Sequence, residues 1–194
     1  MKKNGIHTEF YENGEKKSDG TYKDGKADGL YTEFHENGKK KSEGNYKGVD
    51  RWNQPQKIGK WTGWHENGQK ESEKTYKNGE IDGLYTEWYE NGQKKSEGTY
   101  KDGKSDGFLT NWYENGQKSD EGILKFFKLV GFWTFWYENG KKAGEGSFKD
   151  GRPYGFVTEW HENGQKASEV TYGEVWKRID KKCWDEDGNE KECN

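Results

Sequence analysis

Residues 84–103 read Leu84-Tyr85-Thr86-Glu87-Trp88-Tyr89-Glu90, Asn91-Gly92, Gln93-Lys94-Lys95-Ser96-Glu97-Gly98-Thr99-Tyr100-Lys101, Asp102-Gly103. Two runs rich in aromatic residues and Thr flank an Asn-Gly pair. That is a strong hairpin signal, because both central residues of a two-residue type I′ turn need positive φ. Asp102-Gly103 then reverses the chain again into the next run. The stretch therefore predicts a β-hairpin followed at once by another, and a turn signal every dozen residues leaves no room for a helix.

The same string recurs along the chain. Glu-Asn-Gly repeats with its Asn at Asn13, Asn37, Asn67, Asn91, Asn115, Asn139 and Asn163, and an altered copy ends in Asp187-Gly188. The steps are 24 residues except one of 30, whose six extra residues lie within Gly48–Ile58. Aromatic residues hold fixed phases in this period. One ladder runs Phe10, Phe34, Trp64, Trp88, Trp112, Trp136, Trp160, Trp184, beside a second of Tyr11, His35, His65, Tyr89, Tyr113, Tyr137, His161. A third comprises Tyr22, Tyr46, Tyr76, Tyr100, Leu124, Phe148, Tyr172, and a fourth Tyr31, Trp61, Tyr85, Leu109, Trp133, Val157. Neighbouring strand residues face opposite sides, so the first two ladders are expected on opposite faces. One hairpin is too thin to bury its rings, and stacked copies bury them against each other.

The expected fold is all-β: an elongated, twisted single-layer meander of tandem 24-residue hairpins. About sixteen strands at ~4.8 Å give roughly 75 Å of sheet. The tandem array spans residues 1–172, with an irregular insertion at 48–58 and a degenerate turn at 123–131, and residues 173–194 form a capping hairpin. If the Asn-Gly loop has two residues, Tyr31 sits opposite Gly44 and Tyr85 opposite Gly98. A three-residue loop would shift that register by one.

Composition narrows the function classes. Hydrophobic residues are 27 % of the 194, charged residues 36 %, and aromatics alone 16 %. Aliphatic residues are too few for an ordinary core, yet disordered chains are aromatic-poor and strongly charged, and the net charge here is −3. That charge gives no general attraction to nucleic acid or anionic lipid. No apolar run approaches the ~20 residues of a membrane helix, and Met1–His7 lacks the apolar stretch of a secretory signal.

Glu97-Gly98-Thr99-Tyr100-Lys101-Asp102-Gly103-Lys104-Ser105-Asp106-Gly107 resembles the MORN repeat, in its bacterial variant with Glu-Asn-Gly hairpins. Tandem arrays of this kind are similar to the YwqK-type antitoxin family. The resemblance covers nearly the whole chain. It implies protein–protein or lipid-head-group contacts without enzymatic activity, and the antitoxin label implies neutralising a toxin by direct binding.

Departures from the repeat mark candidate sites. Gly48–Ile58 replaces a short Asp-Gly turn and carries Arg51 and Trp52; it is either a tolerated surface loop or a recognition loop on a rigid scaffold. Where other copies read Tyr-Lys-Asp-Gly, residues 124–131 read Leu124-Lys125-Phe126-Phe127-Lys128-Leu129-Val130-Gly131. These apolar side chains either pack under a neighbouring hairpin or form an exposed docking patch. In the last hairpin Cys183 and Cys193 flank the turn near cross-strand distance, and a disulfide between them would favour an oxidising compartment. Asp185–Glu190 hints at a Ca²⁺ loop, but its Gly is out of place for one. Two Cys exclude a disulfide framework and a four-Cys zinc site.

No catalytic site, metal or cofactor is expected. Carboxylates and lysines recur with the repeat, as a solvated sheet face requires, and no phosphate loop, nucleophile elbow or H-E-x-x-H motif is present. His35, His65 and His161 occupy a phase held elsewhere by Tyr and read as flat side chains rather than ligands. The expected function is non-catalytic binding of a protein partner, host or toxin, through Tyr31, Tyr85, Tyr89 and Trp133 together with Arg51, Trp52, Phe126, Phe127 and Leu129. The expected setting is the bacterial cell surface or periplasm. The alternatives are an intracellular antitoxin and a carbohydrate binder that stacks sugars on rings. A monomer is expected over an oligomer.

Overall fold

The computed structural model describes residues 2–173 and 176–193. Its strands are β1 (Gly5–Phe10), β2 (Lys16–Lys23), β3 (Lys26–Phe34), β4 (Lys40–Val49), β5 (Pro55–Trp64), β6 (Lys70–Lys77), β7 (Glu80–Trp88), β8 (Lys94–Lys101), β9 (Lys104–Trp112), β10 (Lys118–Lys125), β11 (Lys128–Trp136), β12 (Lys142–Lys149), β13 (Arg152–Trp160), β14 (Lys166–Tyr172), β15 (Arg178–Trp184) and β16 (Glu190–Lys191). They form one open antiparallel sheet whose order is the sequence order. There is no α-helix among the described residues. Two compact units divide the chain: Met1–Lys94 with Thr99–Gly103, and Lys95–Gly98 with Lys104–Asn194.

The two turn signals build different turns. Asp24-Gly25, Asn78-Gly79, Asp102-Gly103 and Asp150-Gly151 have positive φ at both residues, 47° to 53° then 73° to 87°. These are two-residue type I′ turns, closed by pairs such as Lys23 with Lys26. At Glu-Asn-Gly only the Gly is left-handed, with φ of 79° to 94°. His35 N–H donates to the Lys39 carbonyl at 2.8 Å and Gly38 N–H to the His35 carbonyl at 2.9 Å. The loop thus has three residues, a type I turn ending in a left-handed Gly, and not the type I′ turn expected from Asn-Gly.

The register nevertheless pairs Tyr31 with Gly44. Phe34 pairs with Lys40, but Glu33 pairs with Ser42, so Lys41 is bulged out. The third loop residue shifts the register by one and the bulge shifts it back. Tyr31 also pairs with Gly20 on its other side. The ring lies there: a Cβ on Gly20 would fall 2.4 Å from it.

Within the first unit the third and fourth ladders merge into one column on one face. His7, Tyr22, Tyr31, Tyr46, Trp61 and Tyr76 follow one another with centroids 4.9 to 6.4 Å apart, all edge to face. In the second unit Trp133 stacks on Phe135 at 6.0 Å, and Phe135 meets Phe148 edge to face at 6.1 Å. Such edge contacts suit the ring quadrupole. The other face carries Lys–Glu pairs beside the Trp rings and, next to them, exposed apolar side chains such as Leu30 and Phe108. Lys40 reaches Glu43 at 2.6 Å and lies 5.6 Å from the Trp64 ring; Lys118 and Lys142 repeat this with Glu121, Trp136 and Glu145, Trp160. A single layer has no interior. The buried apolar residues are Ala27, Trp61, Trp133, Val170 and Cys183, and no large side chain among the described residues is fully shielded.

Candidate functional site

The insertion replaces an Asp-Gly turn between β4 and β5 and folds into a compact loop. Asp50 N–H donates to the Gln54 carbonyl, and Asn53 N–H to the Asp50 carbonyl, each at 2.9 Å. The Asp50 carboxylate accepts from Trp52 and Gln54 N–H at 2.9 and 2.8 Å. Asn53 takes the left-handed position, φ 66°, which Asn tolerates better than most residues. The Lys26 ammonium donates to the Asn53 carbonyl and ties the loop to β3. Held this way, the loop presents Trp52, 65 % exposed, with the Arg51 guanidinium 3.9 Å from its ring centroid.

The loop creates two shallow hollows over the ring column. One is lined by Tyr46, Asp50, Arg51, Trp52, Lys57 and Glu80, the other by Tyr22, Ala27, Tyr31, Glu33, Tyr46 and Asn53. The Lys57 ammonium sits 4.1 Å from the Trp61 centroid and 5.3 Å from that of Tyr76, and burial lowers its pKa. Burial pushes the Tyr46 and Tyr22 phenols up to about 12. Both therefore stay neutral, giving flat faces with hydroxyls that can donate or accept.

The structure brings Arg51, Trp52 and Tyr31 to this margin of the first unit. Tyr85 stays on the column, with its ring 5.1 Å from Tyr100 and 5.0 Å from the Lys74 ammonium. Tyr89 begins the turn after β7, on the opposite sheet margin. Trp133 is not a surface contact. It is 2 % exposed, lies over Gly122 and donates its indole N–H to the Ile123 carbonyl at 3.1 Å.

In the second unit Phe126 and Phe127 form the β10–β11 turn itself. Their φ values are 50° and 64°, the type I′ positions that Asp-Gly fills elsewhere, and bulky residues there are strained. They are 50 % and 59 % exposed, so they do not pack beneath a neighbouring hairpin. Phe127 N–H donates to the buried Ser105 hydroxyl at 3.0 Å, and the Lys104 ammonium lies 5.5 Å from the Phe126 ring. Leu129 is half-buried opposite Leu124.

Cys183 and Cys193 are disulfide-bonded, with Cα atoms 5.4 Å apart. The Asp185 carboxylate serves its own turn, accepting Asn189 N–H at 2.8 Å and Asp187 N–H at 3.1 Å. Those bonds, the Asn189 backbone one foremost, hold its pKa below the ordinary range. His35, His65 and His161 place Nε2 2.8 to 3.0 Å from the carbonyls of Trp64, Trp88 and Trp184. Tyr11, Tyr113 and Tyr137 donate their hydroxyls to the equivalent carbonyls of Phe34, Trp136 and Trp160. The shared requirement is a donor, so Nε2 carries the proton.

One column escaped the sequence reading. Ile6, Leu30, Leu84, Phe108, Phe132 and Phe156 stand at one phase and are 52 % to 80 % exposed. The signal was present: each of the five from Leu30 onward directly precedes a residue of the fourth ladder or its equivalent.

A family model described as the MORN repeat variant matches residues 3–24, 27–47, 57–78, 81–102, 129–150 and 155–173, more than half of the chain. The unmatched stretches between these contain Arg51 and Trp52, and Phe126 and Phe127. No curated protein matches the chain.

Proposed function

The chain belongs to the family of MORN repeat variants, and from that membership we propose that it is a non-catalytic repeat protein that binds a protein partner at the Asp50–Gln54 loop and the Phe126-Phe127 turn. The carrying observation is that Trp52, stacked under Arg51, stands exposed beside hollows floored by Tyr31, Tyr46 and Lys57. Aromatic and Arg anchors on a rigid frame are what a binding hot spot requires. Two Phe in strained turn geometry fit the same reading, since strain of this kind collects where function demands a particular display. The disulfide supports an oxidising setting such as a cell surface or periplasm. In the antitoxin reading the partner would be a basic toxin, which the −3 net charge suits.

The test is capture of a partner by the full chain, identification by mass spectrometry and a binding assay with both components purified. Arg51→Ala with Trp52→Ala is expected to weaken binding at least about tenfold, with unchanged β-sheet circular dichroism. Phe126→Asp with Phe127→Asp is expected to do the same. Undiminished binding by both double variants would refute the proposal.

A further inference from the structure

We propose that Asn78, in the turn between β6 and β7, is a site of spontaneous deamidation, and that the fold protects the asparagines of the Glu-Asn-Gly turns from the same reaction. Asparagine followed by glycine is the reactive pairing, because glycine has no side chain to hinder its own amide nitrogen. The step is internal to the chain. The Gly79 nitrogen bonds to Cγ of Asn78 and the Cγ–Nδ2 bond breaks, so the amide leaves as ammonia with the Gly79 proton. Water then opens the cyclic imide at either carbonyl. One opening leaves an aspartyl residue. The other leaves an isoaspartyl residue, whose main chain runs through the side-chain carbon. Water is the only co-reactant, and nothing is oxidised or reduced.

The chain has nine Asn-Gly pairs, and the structure separates them by what holds the side chain. Ring closure requires Cγ to swing onto the following nitrogen. In all seven Glu-Asn-Gly turns Oδ1 accepts the N–H two residues on, at 2.8 to 3.0 Å. Nδ2 of Asn13, Asn37, Asn67, Asn115, Asn139 and Asn163 also donates to the Glu carbonyl of the next turn, at 2.6 to 3.1 Å. Asn4 holds Asp24 N–H on its Oδ1 at 2.8 Å. Asn78 is exposed, and its side-chain amide has no hydrogen-bond partner among the described residues. The nucleophile is held alike in both kinds of turn: Gly79 N–H donates to the Lys57 carbonyl at 3.0 Å and Gly38 N–H to that of His35 at 2.9 Å. The side chain therefore makes the difference, and two ordinary hydrogen bonds to break correspond to about tenfold or more in rate.

The aspartyl product fits the turn. Asp24, Asp102 and Asp150 fill the same position with φ of 47° to 53°, against 50° for Asn78. The isoaspartyl product does not, because an added main-chain atom lengthens a turn whose geometry is set by two residues. Either product adds a negative charge to the lining of the hollow that Asn78 shares with Arg51, Lys57 and Glu80.

The test is peptide mapping by mass spectrometry of the full chain, disulfide intact, during incubation in mildly alkaline buffer. Asn78 is expected to convert about tenfold or more faster than any Glu-Asn-Gly asparagine, giving aspartyl and isoaspartyl products that electron-transfer fragmentation distinguishes. In urea at the same pH the contrast is expected to disappear, because the bonds that hold the other asparagines are gone. Asn78→Asp, the residue of three equivalent turns, is expected to keep the circular dichroism of the wild type and to lose the fast phase of ammonia release. Equal rates at Asn78 and the Glu-Asn-Gly turns in the folded chain overturn the proposal, as does a Glu-Asn-Gly asparagine that converts first. A contrast that persists undiminished in urea also overturns it, since the flanking residues and not the fold would then be the cause.

Discussion

Gly44 and Gly122 remain glycine because indoles lie where their side chains would be. A Cβ would meet the Trp61 ring at 2.2 Å and the Trp133 ring at 2.3 Å. Gly122→Ala is therefore expected to destabilise by about 1–3 kcal/mol, the cost of overpacking. Gly144→Ala is the control, because its Cβ would meet only ordinary contacts at 3.6 and 3.8 Å. The two urea midpoints, compared with wild type, check this. Phe127→Gly is expected to act in the opposite sense and stabilise by about 1 kcal/mol through relief of its left-handed backbone, while weakening partner binding. At this scale the sequence placed Tyr31 opposite Gly44, and the structure pairs them, but which glycine the ring covers was not legible. Tyr31 has a Gly on both flanking strands, and only the ring's lean selects Gly20. The burial of Trp133 was equally hidden, since its phase also contains the less covered Tyr31 and Tyr85.

The Glu-Asn-Gly turn is the element that links one copy to the next. Asn139 caps its own loop, with Oδ1 accepting Lys141 N–H at 2.9 Å, and its Nδ2 donates to the Glu162 carbonyl of the next turn at 3.1 Å. Asn13, Asn37, Asn67, Asn115 and Asn163 do the same. Asn139→Asp keeps the cap and loses the link, and is expected to cost about 1 kcal/mol. Asn139→Ala loses both and should cost more. Paired thermal melts would show the order, and equal costs would mean the link contributes nothing. The spacing of Asn-Gly revealed every hairpin, because a turn is local chemistry. Its loop length was not legible, because a type I turn with a left-handed Gly and a type I′ turn both accept Asn-Gly, and the compensating bulge at Lys41 carries no residue signature.

For the molecule as a whole, stability in a one-layer repeat is a sum over neighbouring copies, so damage is expected to stay local. Reducing the Cys183–Cys193 bond, or Cys193→Ser, releases a constraint across ten residues worth about 3 kcal/mol in the chain-entropy estimate. Hydrogen exchange is expected to speed up in β15 and β16 and to stay unchanged in β1 to β6. Stability should also fall at both ends of the pH scale. The Lys40 ammonium, then the Thr32 hydroxyl, hold Glu43 below the usual carboxylate range, and Lys16, then Thr8, do so for Asp19. Their contribution is present above the unfolded carboxylate range and is lost as pH falls through the lowered values. Tyr22 and Tyr46, raised to about 12 by burial, contribute fully below ~10, the unfolded value, and lose it as pH rises toward their own. Urea midpoints across pH would trace both flanks. Fold class was legible at this scale because period fixes topology. The exposed Phe row was legible only as a phase one residue before the fourth ladder; periodicity does not say which of two alternating faces meets water.

The extra loop residue and the bulge that cancels it form a matched pair in the hairpins β1–β2, β3–β4, β5–β6, β9–β10, β11–β12 and β13–β14. Losing one without the other would turn each following side chain to the wrong face, much as a frameshift garbles a message. The pattern therefore survives a change of length by whole hairpins, or by extra residues confined to a loop as at Gly48–Ile58.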